Sequence, residues 1–380
     1  MRKSKLFSST MAYFCAMVIL VVFYIIIANC DLSFMPAEAQ DIFTTVIIQI
    51  VIIFALPLTI YTLFRKQSLK RTFRDFNYNG VSFKTLIYSI VIGIACYFMN
   101  VLVASFFSNI IRLFGYESIP RYSSPYTATT TAQFFTNLVL VAVLPAICEE
   151  TAHRGLLLGG LSRLGIKRSV LLSSILFGLL HLNINQFFYA TVLGFLMAIA
   201  VIMSKSIIPA MIIHFCNNGL SLYMSFATER NLFGSKLSSV LNNFLTGSNV
   251  IAAFLGSFAI LTGLTLIVVV FYVLLLKETR IKKMSRLLKD ISTVDMSKQE
   301  REKLMAINPK ANPFSNTYMT NLETINSFFR EYNLTSNQEL IFKKEENEYH
   351  KPTFMELVFL IGAILLGTIV TIFTFVWGIL

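Results

Sequence analysis

"TAQFFTNLVLVAVLPAICEETAHRG", residues 131–155, holds the two facts that decide how this chain is read. An apolar run long enough to cross a membrane leads into two adjacent carboxylates, a histidine and an arginine. From Tyr122 to Ile147 no side chain is charged. Ionisable groups are costly inside hydrocarbon, and those kept there mark a site of action by default. The stretch therefore predicts a membrane helix with a functional cluster at its end.

The rest of the chain is of the same kind. Hydrophobic residues make up 55% of the 380 and charged residues 14%, with a mean hydropathy of +0.67. Soluble domains carry about 25% charged residues, so a water-soluble globule is excluded. Uncharged stretches able to span about 30 Å of hydrocarbon recur near 11–29, 42–64, 85–111, 133–153, 169–182, 187–204, 206–227, 250–276 and 355–378. The fifth is short, a half-span or a helix that ends inside the protein. The expected fold class is all-α, a polytopic transmembrane helical bundle of about 8–9 spans. Residues 1–130 form the N-terminal transmembrane helices, 131–276 the core and its following helix, 277–353 a polar cytoplasmic segment, and 354–380 the last transmembrane helix.

A net charge of +12 invites a nucleic-acid reading, which its distribution opposes. The basic groups gather in alternate connections: Arg2, Lys3 and Lys5; Arg65, Lys66, Lys70, Arg71 and Arg74; Arg163, Lys167 and Arg168; Lys277, Arg280, Lys282 and Lys283. Between the first two spans Asp31, Glu38 and Asp41 dominate instead. This is the positive-inside pattern, and it predicts a multi-pass protein of the cell membrane with its N-terminus in the cytoplasm. The expected partners are the lipid bilayer and its anionic headgroups, not nucleic acid. The apolar stretch from Met11 to Ala28 is long for a signal peptide, and no Ala-x-Ala site follows, so it is read as a helix. Cys15, Cys30, Cys96, Cys148 and Cys216 form no CxxC pair and are read as buried free thiols.

Within 277–353, "KETRIKKMSRLLKD" is expected to lie along the inner leaflet as an amphipathic helix. Pro309 and Pro313 break it, a helix is expected over 320–333, and the polar "KKEENEYHKP" leads to the last span. The segment reads equally as a small subdomain or a loose linker. The stretch 115–132 reads as an external surface loop.

Four histidines exist, and three of them, His153, His181 and His214, lie in or beside spans near Glu149 and Glu150. Glu150 and Arg154 are four apart and meet on one helix face as an ion pair. Glu149 projects about 100° away on the same helix and lacks that partner. His181 closes "FGLLH" one turn after Phe177, and in "HFCNN" His214 and Asn218 share a face, while Asn217 points elsewhere. On a rise of 1.5 Å per residue, His214 is about 12 Å and His181 about 18 Å from the cytoplasmic ends of their helices, and Glu149 roughly 24 Å from the start of its own. Those depths permit the three to converge.

A carboxylate, two imidazoles and an amide in a cavity can hydrolyse an amide bond. Glu149 would take a proton from water, His181 would position that water, and His214 with Asn218 would stabilise an oxyanion. The same atoms of Glu149, His181 and His214 also make a three-ligand zinc set with an open position. Neither HExxH nor a Cys ligand set is present, and spacing does not choose between the two chemistries.

Taken together, "EETAHR" (Glu149–Arg154), "FGLLH" (Phe177–His181) and "HFCNN" (His214–Asn218) resemble the EExxxR, FxxxH and HxxxN motifs of the CPBP intramembrane proteases. That family includes the CAAX prenyl endopeptidases of the Rce1 type and bacterial Abi, bacteriocin-immunity-like proteins. The resembling core covers about 130–225. The resemblance implies a membrane hydrolase, an endopeptidase with a polar cavity opening toward the cytoplasm that cuts a peptide or membrane-protein substrate near that face. It carries the base role onto Glu149, water positioning onto His181, and oxyanion binding onto His214 and Asn218. Many members are named metalloproteases; the prenyl-protease branch resembles an enzyme using glutamate-activated water, so the expected cofactor is none, with Zn as the alternative. A composition rich in Lys, Ile, Phe and Asn looks like that of a low-GC bacterium, where a peptide pheromone, bacteriocin leader or membrane-protein tail is the expected substrate.

The remaining polar and small residues have plainer readings. Glu150 and Arg154 fasten the helix, Phe177 packs beside His181, His153 faces the interface, and His350 is surface. Gly155 and Gly159 are a small-xxx-small packing pair. A catalytically silent scaffold, immunity or partner-binding protein is the alternative function. A transporter is disfavoured, since no inverted repeat with broken helices is evident.

Overall fold

A computed structural model describes residues 3–116, 128–246, 250–292, 296–331 and 351–378. His350, the run before it, the end of the helix expected over 320–333, and most of the 115–132 loop lie outside the described residues. Among those described, all regular structure is helical. The elements are α1 (Lys5–Asn29), α2 (Ala37–Arg65), α3 (Leu69–Asp75), α4 (Phe83–Arg112), α5 (Thr131–Leu164), α6 (Ile166–Leu180) and α7 (Ile184–Ser204). There follow α8 (Ile208–Arg230), α9 (Ser235–Thr246), α10 (Val250–Ser292), α11 (Lys298–Met305), α12 (Asn316–Glu331) and α13 (Phe354–Trp377).

Seven of these, α1, α2, α4, α5, α7, α10 and α13, are long and apolar enough to cross a membrane. The protein is a polytopic helical membrane protein. α6 has 15 residues, as its short apolar run predicts. α8 has the length, at 23 residues, but His214, Asn217 and Asn218 lower its hydropathy.

Both ends of the bundle are tied by polar contacts that follow the alternation of charge. At the basic end, Lys5 pairs with Asp75 at 3.4 Å, Arg65 bonds the Lys3 carbonyl, Ser4 donates to Glu356, and Lys282 bonds the Gly80 carbonyl. At the opposite end, Gln133 donates to Glu38 and Arg230 bonds the Thr129 carbonyl.

α5 starts on a capping box, Thr130 with Gln133, which satisfies its first free N–H groups. It does not stop at the charged cluster. The helix runs on to Leu164, so Glu149 lies deep inside it and not at its end. Its ladder widens to π turns over Val139–Val143, just before Pro145, and again over Thr151–Leu157. α2 does the same over Ile47–Ala55, before Pro57. A proline has no N–H to give and its ring crowds the preceding turn, and such π turns re-aim the side chains they carry.

Gly155 lets Phe76 approach so closely that a Cβ would lie 2.9 Å from the Phe76 Cβ. The second tight contact is at Gly160, against Ser9, while Gly159 has only Asp75 O at 3.8 Å. The tightly packed pair is thus Gly155 with Gly160, not the expected Gly155 with Gly159.

Two other expectations change. "KETRIKKMSRLLKD" continues α10 without a break, giving a helix of 43 residues, about 64 Å long. It is the direct continuation of a membrane-spanning helix and not a separate one, and its Lys282 still bonds the Gly80 carbonyl. Its last turns pack with α11, which the sequence did not foreshadow, and α12, which begins at Asn316. Met284, Leu287, Ile291, Leu304, Ile307, Tyr318, Ile325 and Phe328 form a separate small core there. Tyr318 bonds the Arg280 carbonyl and Arg280 bonds that of Pro313, so this part of the segment is a packed unit. Cys96 and Cys148 are buried, but Cys30 is exposed.

Candidate active site

Phe177 sits where the candidate residues meet. Its ring lies edge-on to His153, His181 and His214, at centroid distances of 4.9, 5.4 and 5.7 Å. The Arg154 guanidinium stacks over it at 4.3 Å, within cation–π range. More than a wall beside His181, Phe177 is the surface common to all four.

Glu150 is fully buried and bridges two cations or potential cations. Its Oε2 lies 3.1 Å from Arg154 Nε, the expected i,i+4 pair. Its Oε1 accepts from His214 Nδ1 at 2.9 Å, across from α5 to α8. Arg154 is 1% exposed and also donates from Nη2 to the Gly194 carbonyl of α7 at 3.1 Å. A buried charge survives only when paired and hydrogen-bonded, and this pair welds α5, α7 and α8. Glu150 therefore does more than fasten its own helix: it fixes the ring of His214, with Nδ1 as donor and Nε2 facing away from the bond.

Glu149 is 5% exposed and has a different partner. Its Oε1 accepts from Gln49 Nε2 of α2 at 2.8 Å, and its Oε2 has no hydrogen-bond partner in the protein. His181 joins the cluster through the Phe177 ring. It caps α6, where Leu182 takes a left-handed backbone (φ 50°) before α7 begins. Such a conformation is strained for a bulky side chain, and it turns the chain just after the imidazole.

His153 does not face the interface. It is fully buried, with Nδ1 3.0 Å from the Glu149 carbonyl and Nε2 2.9 Å from the Tyr13 hydroxyl. The π turns that begin at Thr151 shift the helical phase, which moves His153 off the side assigned by a regular wheel.

Asn218 donates from Nδ2 to the Val141 carbonyl at 2.9 Å. In an α-helix that carbonyl would bond the residue 145 N–H, which proline lacks. Asn218 Oδ1 accepts from Asn217 Nδ2 at 2.9 Å, and Asn217 Oδ1 accepts from Asn100 Nδ2 of α4 at 2.8 Å. Asn217, set aside by the spacing, is thus the middle of an amide chain.

Residues 131–220 match the Rce1-like family model, described as type II CAAX prenyl endopeptidase Rce1-like. This stretch, about a quarter of the chain, is similar to that family. It runs from the start of α5 into α8 and contains Glu149, Glu150, Arg154, Phe177, His181, His214 and Asn218. The family is one of membrane-embedded CAAX-type proteases. No curated protein and no solved structure was found to match the chain.

Three groups that meet the matched stretch come from helices before it: Tyr13, Gln49 and Asn100. Gln49 and Asn100 had a signal. Gln49 is the one amide in its apolar span, 42–64, and Asn100 is the amide at the middle of 85–111, with Asn109 near its end. By residue type, Glu149, His181 and His214 suit zinc. Among the described residues, no three His, Cys, Asp or Glu side chains are grouped to hold an ion. The set does not fit a resident metal as it stands, and no step is drawn through one.

Proposed function

We propose that the protein is an intramembrane endopeptidase of the cell membrane, N-terminus in the cytoplasm, cutting a peptide or membrane-protein substrate with water activated by Glu149. The observation that carries this reading is the state of Glu149. One carboxylate oxygen is held by Gln49, and the other is buried and unpartnered.

Glu149 Oε2 takes a proton from water as the water oxygen attacks the scissile carbonyl carbon. His181 orients that water. The carbonyl oxygen becomes an oxyanion and meets His214 Nε2 and the second amide hydrogen of Asn218. Since Glu150 holds Nδ1–H, Nε2 donates when the ring carries both protons, and the Glu150 carboxylate balances that charge. The carbon–nitrogen bond then breaks, and Glu149 returns its proton to the leaving amine.

The test is cleavage of membrane peptides by purified wild type, Glu149→Gln and His181→Ala at equal abundance. Loss of turnover in both variants is expected. Wild-type turnover in both would overturn the roles given to Glu149 and His181, and no turnover by the wild type would leave a scaffold as the better reading. A zinc chelator is expected to leave turnover unchanged; loss that added zinc restores would overturn the metal-free mechanism.

A further inference from the structure

A cavity of about 400 Å³ begins at Asn218, one helical turn beyond His214, and runs between α4, α7 and α8. Its lining on α4 reaches from Tyr97 to Ala104 and on α8 from Asn217 to Ser225, from the middle of each helix into its second half. Both helices start at the basic end, so the cavity extends away from it. Its direction differs from the cytoplasmic opening implied by the family resemblance. The volume falls in the range of ligand pockets.

Its chemistry is that of a hydrogen-bonding surface without charge. Among the described residues, no carboxylate, amine, guanidinium or imidazole lines it; three asparagines, two serines and two tyrosines do, beside Val101, Ala104, Val141 and Leu222. Asn100 is 6% exposed, gives its amide hydrogen to Asn217, and has an Oδ1 with no partner in the protein. A buried acceptor left unpaired is costly, and a donor presented from the cavity that Asn100 lines would remove that cost. An acyl chain offers none. A peptide backbone offers one N–H per residue.

We infer that this cavity is the subsite for an uncharged peptide segment of the substrate, on the side of the scissile bond remote from the basic end, with Asn100 Oδ1 accepting from a substrate backbone N–H. The inference rests on the protease reading above. Asn217 and Asn218 link the subsite to the bond being cut, because filling the Asn100 acceptor stiffens the amide chain that ends on Val141. A charged substrate side chain has no counter-ion there and is rejected.

The probe is a set of quenched fluorescent peptides of Ala, Ser, Thr and Leu, with matched peptides carrying one lysine at successive positions. They are given to the full-length protein in lipid nanodiscs. Cleavage of the uncharged set, abolished by Glu149→Gln, is expected. Asn100→Leu and Ser221→Trp should each raise KM about tenfold with a much smaller change in kcat, as for one lost hydrogen bond. Asn100→Asp should make one lysine-bearing peptide the preferred substrate, a gain that misfolding cannot produce. KM unchanged in Asn100→Leu and Ser221→Trp, with Glu149→Gln inactive, would overturn the subsite. So would a bound lipid, seen by native mass spectrometry, that Ser221→Trp expels without affecting peptide KM. Cleavage that survives Glu149→Gln would instead overturn the role of Glu149, and no cleavage of any peptide by the wild type would overturn the protease reading itself.

Discussion

Two polar networks cross the middle of this bundle, and they are built on opposite terms. Glu150, Arg154 and His214 form a charged knot beside Phe177, none of them more than 2% exposed. Asn100, Asn217 and Asn218 form a neutral chain that borders a cavity and ends in an unpartnered acceptor. In a low-dielectric interior an unpaired charge costs far more than an unpaired amide. Charges must therefore be spent on one another and serve as fasteners, whereas amides can keep a group open for a ligand. Glu149 lies between these cases: a carboxylate held by one amide, Gln49, with its second oxygen open.

That contrast ranks the expected effects. Glu149→Gln should lower single-turnover cleavage about 10²–10⁴-fold, the usual share of a general base, while keeping the melting temperature near that of wild type. Arg154→Leu strands the Glu150 carboxylate and should destabilise by about 3–5 kcal/mol, read by unfolding in detergent. Adding Glu150→Leu should recover most of that stability but not the activity, since His214 loses its orienting partner; recovery of both would reduce the knot to a fastener. Gln49→Leu removes one hydrogen bond to a charged group, about 1.5–3 kcal/mol, and should appear as a kcat lowered by one to two orders of magnitude. Tyr13→Phe is the smallest change, about 1 kcal/mol of stability, seen as a modest fall in melting temperature.

What could be read without coordinates follows how local each feature is. The Glu150–Arg154 pair was legible because four residues along one helix bring side chains together whatever the tertiary fold. The Glu150–His214 bond was not, because its partners lie on different helices and no period relates them. His153 was misassigned since a regular wheel assumes a constant turn, and the π turns from Thr151 break it. The end of α5 was placed too early for a related reason. Charge in the sequence looks like a membrane boundary until its partners are known, and here they are inside the bundle. The 277–331 region shows the same limit: its apolar residues are too sparse to announce a core, yet α10, α11 and α12 bring eight of them together.

The sequence by itself determined that this is a helical membrane protein, which end of the bundle is basic, and which residue types are available for chemistry. Composition and helical period act along the chain, and the cost of burying charge selects the motif residues. Only the tertiary structure decided which carboxylate is tied down and which is open, that Phe177 is the meeting point, and that Gln49 and Asn100 join the site. Those outcomes depend on distances between helices, set by packing at positions such as Gly155 and by the π turns before Pro57 and Pro145. Adjacent in "CEETAHRG", Glu149 and Glu150 are separated in role by what stands across from them.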